Sequence, residues 1–182
     1  MSSHDPTAPV PTTLDPESWH ALRTQGHRML DDMVDYLERI RDRPVWQPIP
    51  DTVRERFRGE LPRAPAALAD LHDEFMRSIL PYAVGNVHPG FMAYVHGGGT
   101  AVGMLAEMLA GGLNANTGGR DHVPIEVERQ IAAWLRDLFG FPATASGIFV
   151  TGTSMANFIG VLVARTAHLG PSVRRDGLPA DR

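Results

Sequence analysis

Apolar positions recur along the first half of the chain with the spacing of amphipathic helices. Trp19, Leu22, Met29, Met33, Tyr36, Leu37 and Ile40 draw one stripe that runs up to Arg41. Ahead of it, Asp15-Pro16-Glu17 reads as an N-cap, a proline at the first helical position and an acid in the first turn. The segment RDRPVWQPIPD, with its three prolines, ends the stripe. A short helix is predicted over residues 52–58 before GELPRAP interrupts again. A third helix, over residues 66–80, sets Leu68, Leu71, Phe75, Ile79 and Leu80 on one side. Extended proline-rich connectors join these helices, where a bundle would use tight turns. The pattern therefore points to helices that lie on another surface, with a self-sufficient helical domain as the other reading.

From Gly85 the composition shifts to glycine, alanine and small polar residues. A Met-, Leu- and Ala-rich helix is predicted over residues 100–113, then a polar loop over 114–122. A long helix over 124–139 turns Val127, Ile131, Trp134, Leu135 and Leu138 to one face. After GFPATASG comes a short apolar run, read as a buried strand over 148–151, and then a helix opened by Thr153. Helix, strand and helix in succession suit the entry to an α/β domain. One strand makes that domain incomplete.

The junction Thr151-Gly152-Thr153-Ser154 is where chemistry enters. The first N–H groups of a helix lack intrahelical acceptors and carry the positive end of its dipole, so a phosphate is well served there. Gly152 allows close backbone approach, and the Thr153 and Ser154 hydroxyls can each donate to a phosphate oxygen. The other reading is that Thr153 or Ser154 caps its own helix. The pattern is neither a nucleotide P-loop nor the G-x-G-x-x-G of a dinucleotide turn. A single phosphate on a small cofactor fits it better.

Composition changes this picture in two places. All 17 basic residues are arginine, so any reaction needing a primary side-chain amine must draw it from other polypeptide. There is no cysteine, which removes disulfides, thiolate ligands and a thiol nucleophile, and makes a cytoplasmic location the expectation. The net charge of −4 gives no general pull toward nucleic acid or an anionic membrane. Residues 1–14 lack a secretory pattern and read as a flexible arm.

Taken together, HPGF at residues 88–91, the Glu128 region ahead of the long helix, and GIFVTGTSMAN, in this order and spacing, resemble the N-terminal third of the group II pyridoxal-phosphate-dependent amino-acid decarboxylases, the family of the aromatic-amino-acid, glutamate and histidine enzymes. The resemblance runs from about Asp15 onward. It implies a type I aminotransferase-like α/β fold, a homodimer, pyridoxal 5'-phosphate as cofactor and an L-amino acid, a small molecule, as substrate; no nucleic acid, membrane or metal is expected. Residues 15–84 would be a helical segment wrapping the partner subunit, and residues 85–182 the beginning of the large cofactor domain. Gly152, Thr153 and Ser154 match the phosphate site. Tyr94 matches a position lining the substrate pocket, with His96 beside it in the same segment. Asn116 and Thr117 lie in the loop corresponding to one that reaches the neighbouring subunit's active site. They stand where the aromatic enzymes place bulky apolar residues, which points away from an aromatic substrate.

No catalytic residue of the family maps onto these residues. The lysine through which the family anchors its cofactor, the acid on the ring nitrogen and the stacking group all fall downstream of the matched region. GPSVRRDGLPADR resembles a connector ahead of the next core strand. The expectation is one piece of a longer or split enzyme, inactive alone, whose lysine comes from a C-terminal polypeptide. The alternative is a truncated non-catalytic module that pairs with a homologue.

Other polar residues have plainer readings. The spacings of His88, His96 and His122 match no common metal-ligand pattern. His88 reads as a structural hydrogen-bonder, Glu126 as a first-turn acid, and Glu128 as a group fixing a nearby loop. Arg120 and Asp121 can pair with each other or across a dimer contact, or Arg120 can meet a substrate carboxylate. Asn157 is expected to bond backbone near the phosphate loop.

Overall fold

The computed structural model describes residue 13 and residues 15–118 and 121–178. The expected arm at the N-terminus, apart from Thr13, and Arg120 lie outside the described residues. The chain divides into two compact units, Met1–Leu113 and Asn114–Arg182. The change of composition at Gly85 falls inside the first.

The first unit opens with helix α1, Trp19–Glu38, followed by a 3-10 turn, Ile40–Asp42. The cap is Ser18, whose hydroxyl accepts the Ala21 N–H at 3.2 Å, so the start falls later than the expected Asp15 cap and Pro16 precedes the helix. A serine oxygen three residues ahead of an open amide closes the first turn directly. Helix α2, Asp51–Arg56, is short. The predicted third helix is built in three pieces: α3, Leu68–Glu74, a π-helical turn, Phe75–Ile79, and a 3-10 turn, Leu80–Tyr82. Pro81 has no N–H to offer the Arg77 carbonyl, so the α ladder cannot continue through it, and the Leu80 N–H donates instead to the Phe75 carbonyl five residues back.

Helices α1 and α3 meet through polar groups. Arg28 donates to Asp73 at 2.6 Å, and the Gln25 amide donates to Nδ1 of the buried His72 at 3.1 Å. With Nδ1 accepting, the His72 proton lies on Nε2, which faces Asp32 at 3.5 Å. The apolar stripes are covered only in part, since Trp19, Leu22, Leu71 and Ile79 are exposed. Beyond α3, Gly85 takes φ +79° and packs against the Val45 carbonyl, where a Cβ would sit 1.8 Å from the oxygen. Only glycine fits that approach. Helix α4, Ala101–Leu113, closes the unit.

In the second unit, α5, Val123–Leu138, carries Pro124 near its start, and Glu126 of its first turn is paired with Arg129 at 2.6 Å. Past its end, Gly140 has φ +68° and the Phe141 N–H returns to the Arg136 carbonyl at 2.9 Å. The predicted strand over 148–151 is an extended run with no ladder. No strand occurs among the described residues, because backbone ladders need a neighbouring strand. Helix α6, Gly152–Leu169, follows it and ends at Gly170, and the short α7, Val173–Asp176, folds back on α6. No helix among the described residues is long and apolar enough to cross a membrane.

Candidate functional site

The N-terminus of α6 is an open helix mouth. Its cap residue, Thr151, is extended and makes no side-chain capping bond. Gly152 enters the helix with φ +78°, and a Cβ built there would meet nothing within 4 Å. Thr153 and Ser154 occupy the next two positions, both exposed, and among the described residues neither hydroxyl is engaged in a hydrogen bond. The arrangement leaves the first backbone N–H groups without intrahelical acceptors at the positive end of an 18-residue helix, with two exposed hydroxyl residues in its first turn. Those donors fit a phosphate group.

The run leading into this mouth is steadied from α5. Glu128 accepts the Phe149 N–H at 3.4 Å, so its carboxylate holds a loop, as its place in the sequence suggests. No hydrogen bond joins Asn157 to the mouth among the described residues.

The polar loop before α5 is ordered by its own groups. Asn114 has φ +45°, and the Asn116 side-chain oxygen accepts the Gly118 N–H at 2.8 Å, an Asx turn. The Asn116 carbonyl accepts from His122 Nε2 at 2.9 Å, which accounts for His122 without a metal. Among the described residues no group of His, Asp and Glu is placed to hold a metal ion. Thr117, at the tip of this turn, is exposed.

In the first unit, Tyr94 and His96 are brought together. Their rings are stacked 6.0 Å apart, and the Phe91 ring lies 5.5 Å from that of His96, tilted at 45°. Tyr94 has φ +58°, a left-handed conformation costly for a residue with a Cβ. His88 Nδ1 accepts the Gly90 N–H at 2.8 Å, the structural role expected of it. Asn86, which sequence reasoning passed over, donates from its amide to the Gly97 carbonyl at 2.7 Å. An isolated asparagine in a glycine-rich stretch carries no periodic signal that would have singled it out.

The pyridoxal-dependent decarboxylase conserved domain matches residues 50–180, more than two thirds of the chain. The chain belongs to the pyridoxal-dependent decarboxylases. The cofactor is pyridoxal phosphate, and the phosphate-ready helix mouth fits it. An aromatic-L-amino-acid decarboxylase of Bacillus atrophaeus is 29% identical over 160 residues, covering 84% of this chain and 32% of that protein. Tyrosine decarboxylase 1 of Narcissus pseudonarcissus is 30% identical over 132 residues, covering 71% of this chain and 25% of that protein. Among solved structures, Catharanthus roseus tryptophan decarboxylase in complex with L-tryptophan superposes with a TM-score of 0.69 at 25% identity, covering 87% of this chain and 36% of that one. Oryza sativa TDC with PLP and tryptamine gives a TM-score of 0.73 at 22% identity, covering 91% and 35%. The fold is thus that of the N-terminal part of the pyridoxal-phosphate-dependent decarboxylases, and the chain spans about a third of the length of the curated relatives it matches.

Proposed function

We propose that this chain is the N-terminal part of a pyridoxal-phosphate-dependent L-amino-acid decarboxylase. It contributes the cofactor phosphate site through Gly152, Thr153 and Ser154, and part of the substrate pocket through Tyr94, His96, Asn116 and Thr117. Residues 15–84 form a helical segment that wraps a partner subunit, and residues 85–182 begin the large cofactor domain of a homodimeric, cytoplasmic enzyme. The observation that carries the reading is the uncapped start of α6, with its hydroxyls and amides free.

Bound pyridoxal phosphate supplies an electron sink for the charge left on Cα when the substrate loses its carboxylate. The residues of this chain bind and orient. The α6 mouth grips the phosphate through backbone and hydroxyl donors and so fixes one end of the ring. Tyr94 and His96 offer a stacked pair of rings that presents a phenol hydroxyl and imidazole nitrogens as hydrogen-bonding groups. Asn116 spends its side-chain oxygen on the Gly118 turn and keeps its amide N–H groups for a substrate, while Thr117 adds a hydroxyl. These polar groups argue for a substrate other than a bulky aromatic amino acid.

With no lysine in the chain, the amine that anchors the cofactor comes from further polypeptide. The apolar faces of α5 and α6, where Trp134, Leu138, Phe158 and Val161 are exposed, support this. Apolar surface left in water forgoes roughly 25 cal/mol per Å², and further chain would cover it. The same two features also suit a non-catalytic module that pairs with a homologue. Borohydride reduction of the purified, cofactor-loaded protein followed by peptide mapping separates the two. The enzyme reading expects a pyridoxyl adduct on a lysine outside these 182 residues. A soluble species of this chain alone, carrying no cofactor absorbance, establishes the module.

A further inference from the structure

The segment bearing Tyr94 and His96 is held unevenly. Its first half has its own backbone bonds: the His88 N–H donates to the Gly85 carbonyl and the Phe91 N–H to the His88 carbonyl, each at 2.9 Å. Gly90 is tied to the His88 ring, and Gly85 is seated on the Val45 carbonyl. The second half, residues 92–97, has one hydrogen bond among the described residues, from the Asn86 amide to the Gly97 carbonyl at 2.7 Å across 11 residues. Packing does little to replace the missing bonds. Met92, Tyr94 and Val95 are 97%, 90% and 103% exposed, and Tyr94 holds a left-handed backbone that its own side chain disfavours.

We infer that Asn86 is the positioning residue for Tyr94 and His96: its amide closes the loop and thereby fixes the stacked pair that faces the substrate. This rests on the reading of Tyr94 and His96 as pocket residues. The chemistry is specific to an amide donor. Aspartate has the same shape and no N–H, and it would set a carboxylate against the Gly97 carbonyl oxygen. Without the clamp, residues 92–97 are free to leave the strained Tyr94 conformation, and the pair has to be reordered each time substrate binds. The loss therefore falls on substrate binding, and the chemical step is left alone.

The test uses the complete enzyme. The standard L-amino acids are screened, and the one turned over fastest serves as substrate for Asn86→Asp, Tyr94→Phe, His96→Gln and the Asn86→Asp/His96→Gln pair. Asn86→Asp is expected to raise KM roughly three- to tenfold, the factor expected for one hydrogen bond, with kcat within about twofold, and with cofactor absorbance and melting temperature unchanged. The effects of Asn86→Asp and His96→Gln should be less than additive in the double variant, because both act through one ring. Should Asn86→Asp fail to accumulate, Asn86→Ser, whose hydroxyl is too short to reach Gly97, takes its place with the same expectations. If Tyr94→Phe and His96→Gln both leave KM unchanged, the pocket reading is wrong. If they raise KM while the Asn86 variants do not, or if the double variant is fully additive, the pocket reading stands and the clamp is overturned.

Discussion

The Glu128 carboxylate accepts the Phe149 backbone N–H at 3.4 Å and so ties the body of α5 to the extended run that enters α6. Because the bond is long and exposed, its loss is worth about 0.5 kcal/mol. Glu128→Ala is expected to weaken cofactor retention by the complete enzyme roughly two- to threefold, with helix content unchanged. Glu128→Gln keeps an acceptor oxygen and stays near wild type. Equilibrium dialysis of the two variants checks this, and equal losses in both would show that the carboxylate does not act through Phe149.

Two glycines should respond in opposite directions to the same substitution. At Gly85 an added Cβ meets the Val45 carbonyl at 1.8 Å and φ is +79°, so Gly85→Ala is expected to destabilise by at least about 2 kcal/mol. Gly26 lies inside α1 with nothing within 4 Å of its Cβ position, and Gly26→Ala should stabilise by roughly 0.5–1 kcal/mol. Urea unfolding of both variants decides the matter.

Glu74 supplies a pH dependence. The Ser78 hydroxyl, and then Arg56 and Arg77, hold its carboxyl below the usual 4.5, against a partial desolvation that pushes the other way. Arg56 lies 3.2 Å and Arg77 3.5 Å from the carboxylate. A lowered folded-state value stabilises the fold above the unfolded pKa, and that contribution is lost as pH falls through the folded one. Ser78→Ala should therefore lower the melting temperature near neutral pH by a gap that narrows as pH drops below the usual glutamate range. A gap that does not change with pH would assign the effect to packing around the buried Ser78.

The helical stripes were legible because burial on one face repeats with the helix period. The starts and ends predicted for α4 and α5 fall within a residue of those observed, and the start of α6 at Gly152 is recognisable from a glycine followed by two hydroxyl residues. What escaped has physical reasons. Asp15-Pro16-Glu17 has the composition of a helix start, yet Ser18 reaches the Ala21 amide and takes the cap. Over five residues a π turn and an α turn bury nearly the same side chains, so Phe75–Ile79 looked like more α-helix. The apolar run at 148–151 announces burial but cannot supply the second strand a ladder needs. The Asn86 bond joins a side chain to a distant backbone carbonyl, a relation that depends on the path of the chain and leaves no mark on residue type.

The central claim is that the open mouth of α6 grips the cofactor by its phosphate, and the most direct measurement compares pyridoxal phosphate with pyridoxal on the Thr153→Ala/Ser154→Ala variant of the complete enzyme. Hydrogen bonds to a charged group are worth about 1.5–3 kcal/mol each, so the variant should bind pyridoxal phosphate at least about tenfold more weakly while its weak affinity for pyridoxal is unchanged. Unaltered binding of pyridoxal phosphate, or an equal loss for both compounds, would contradict the account.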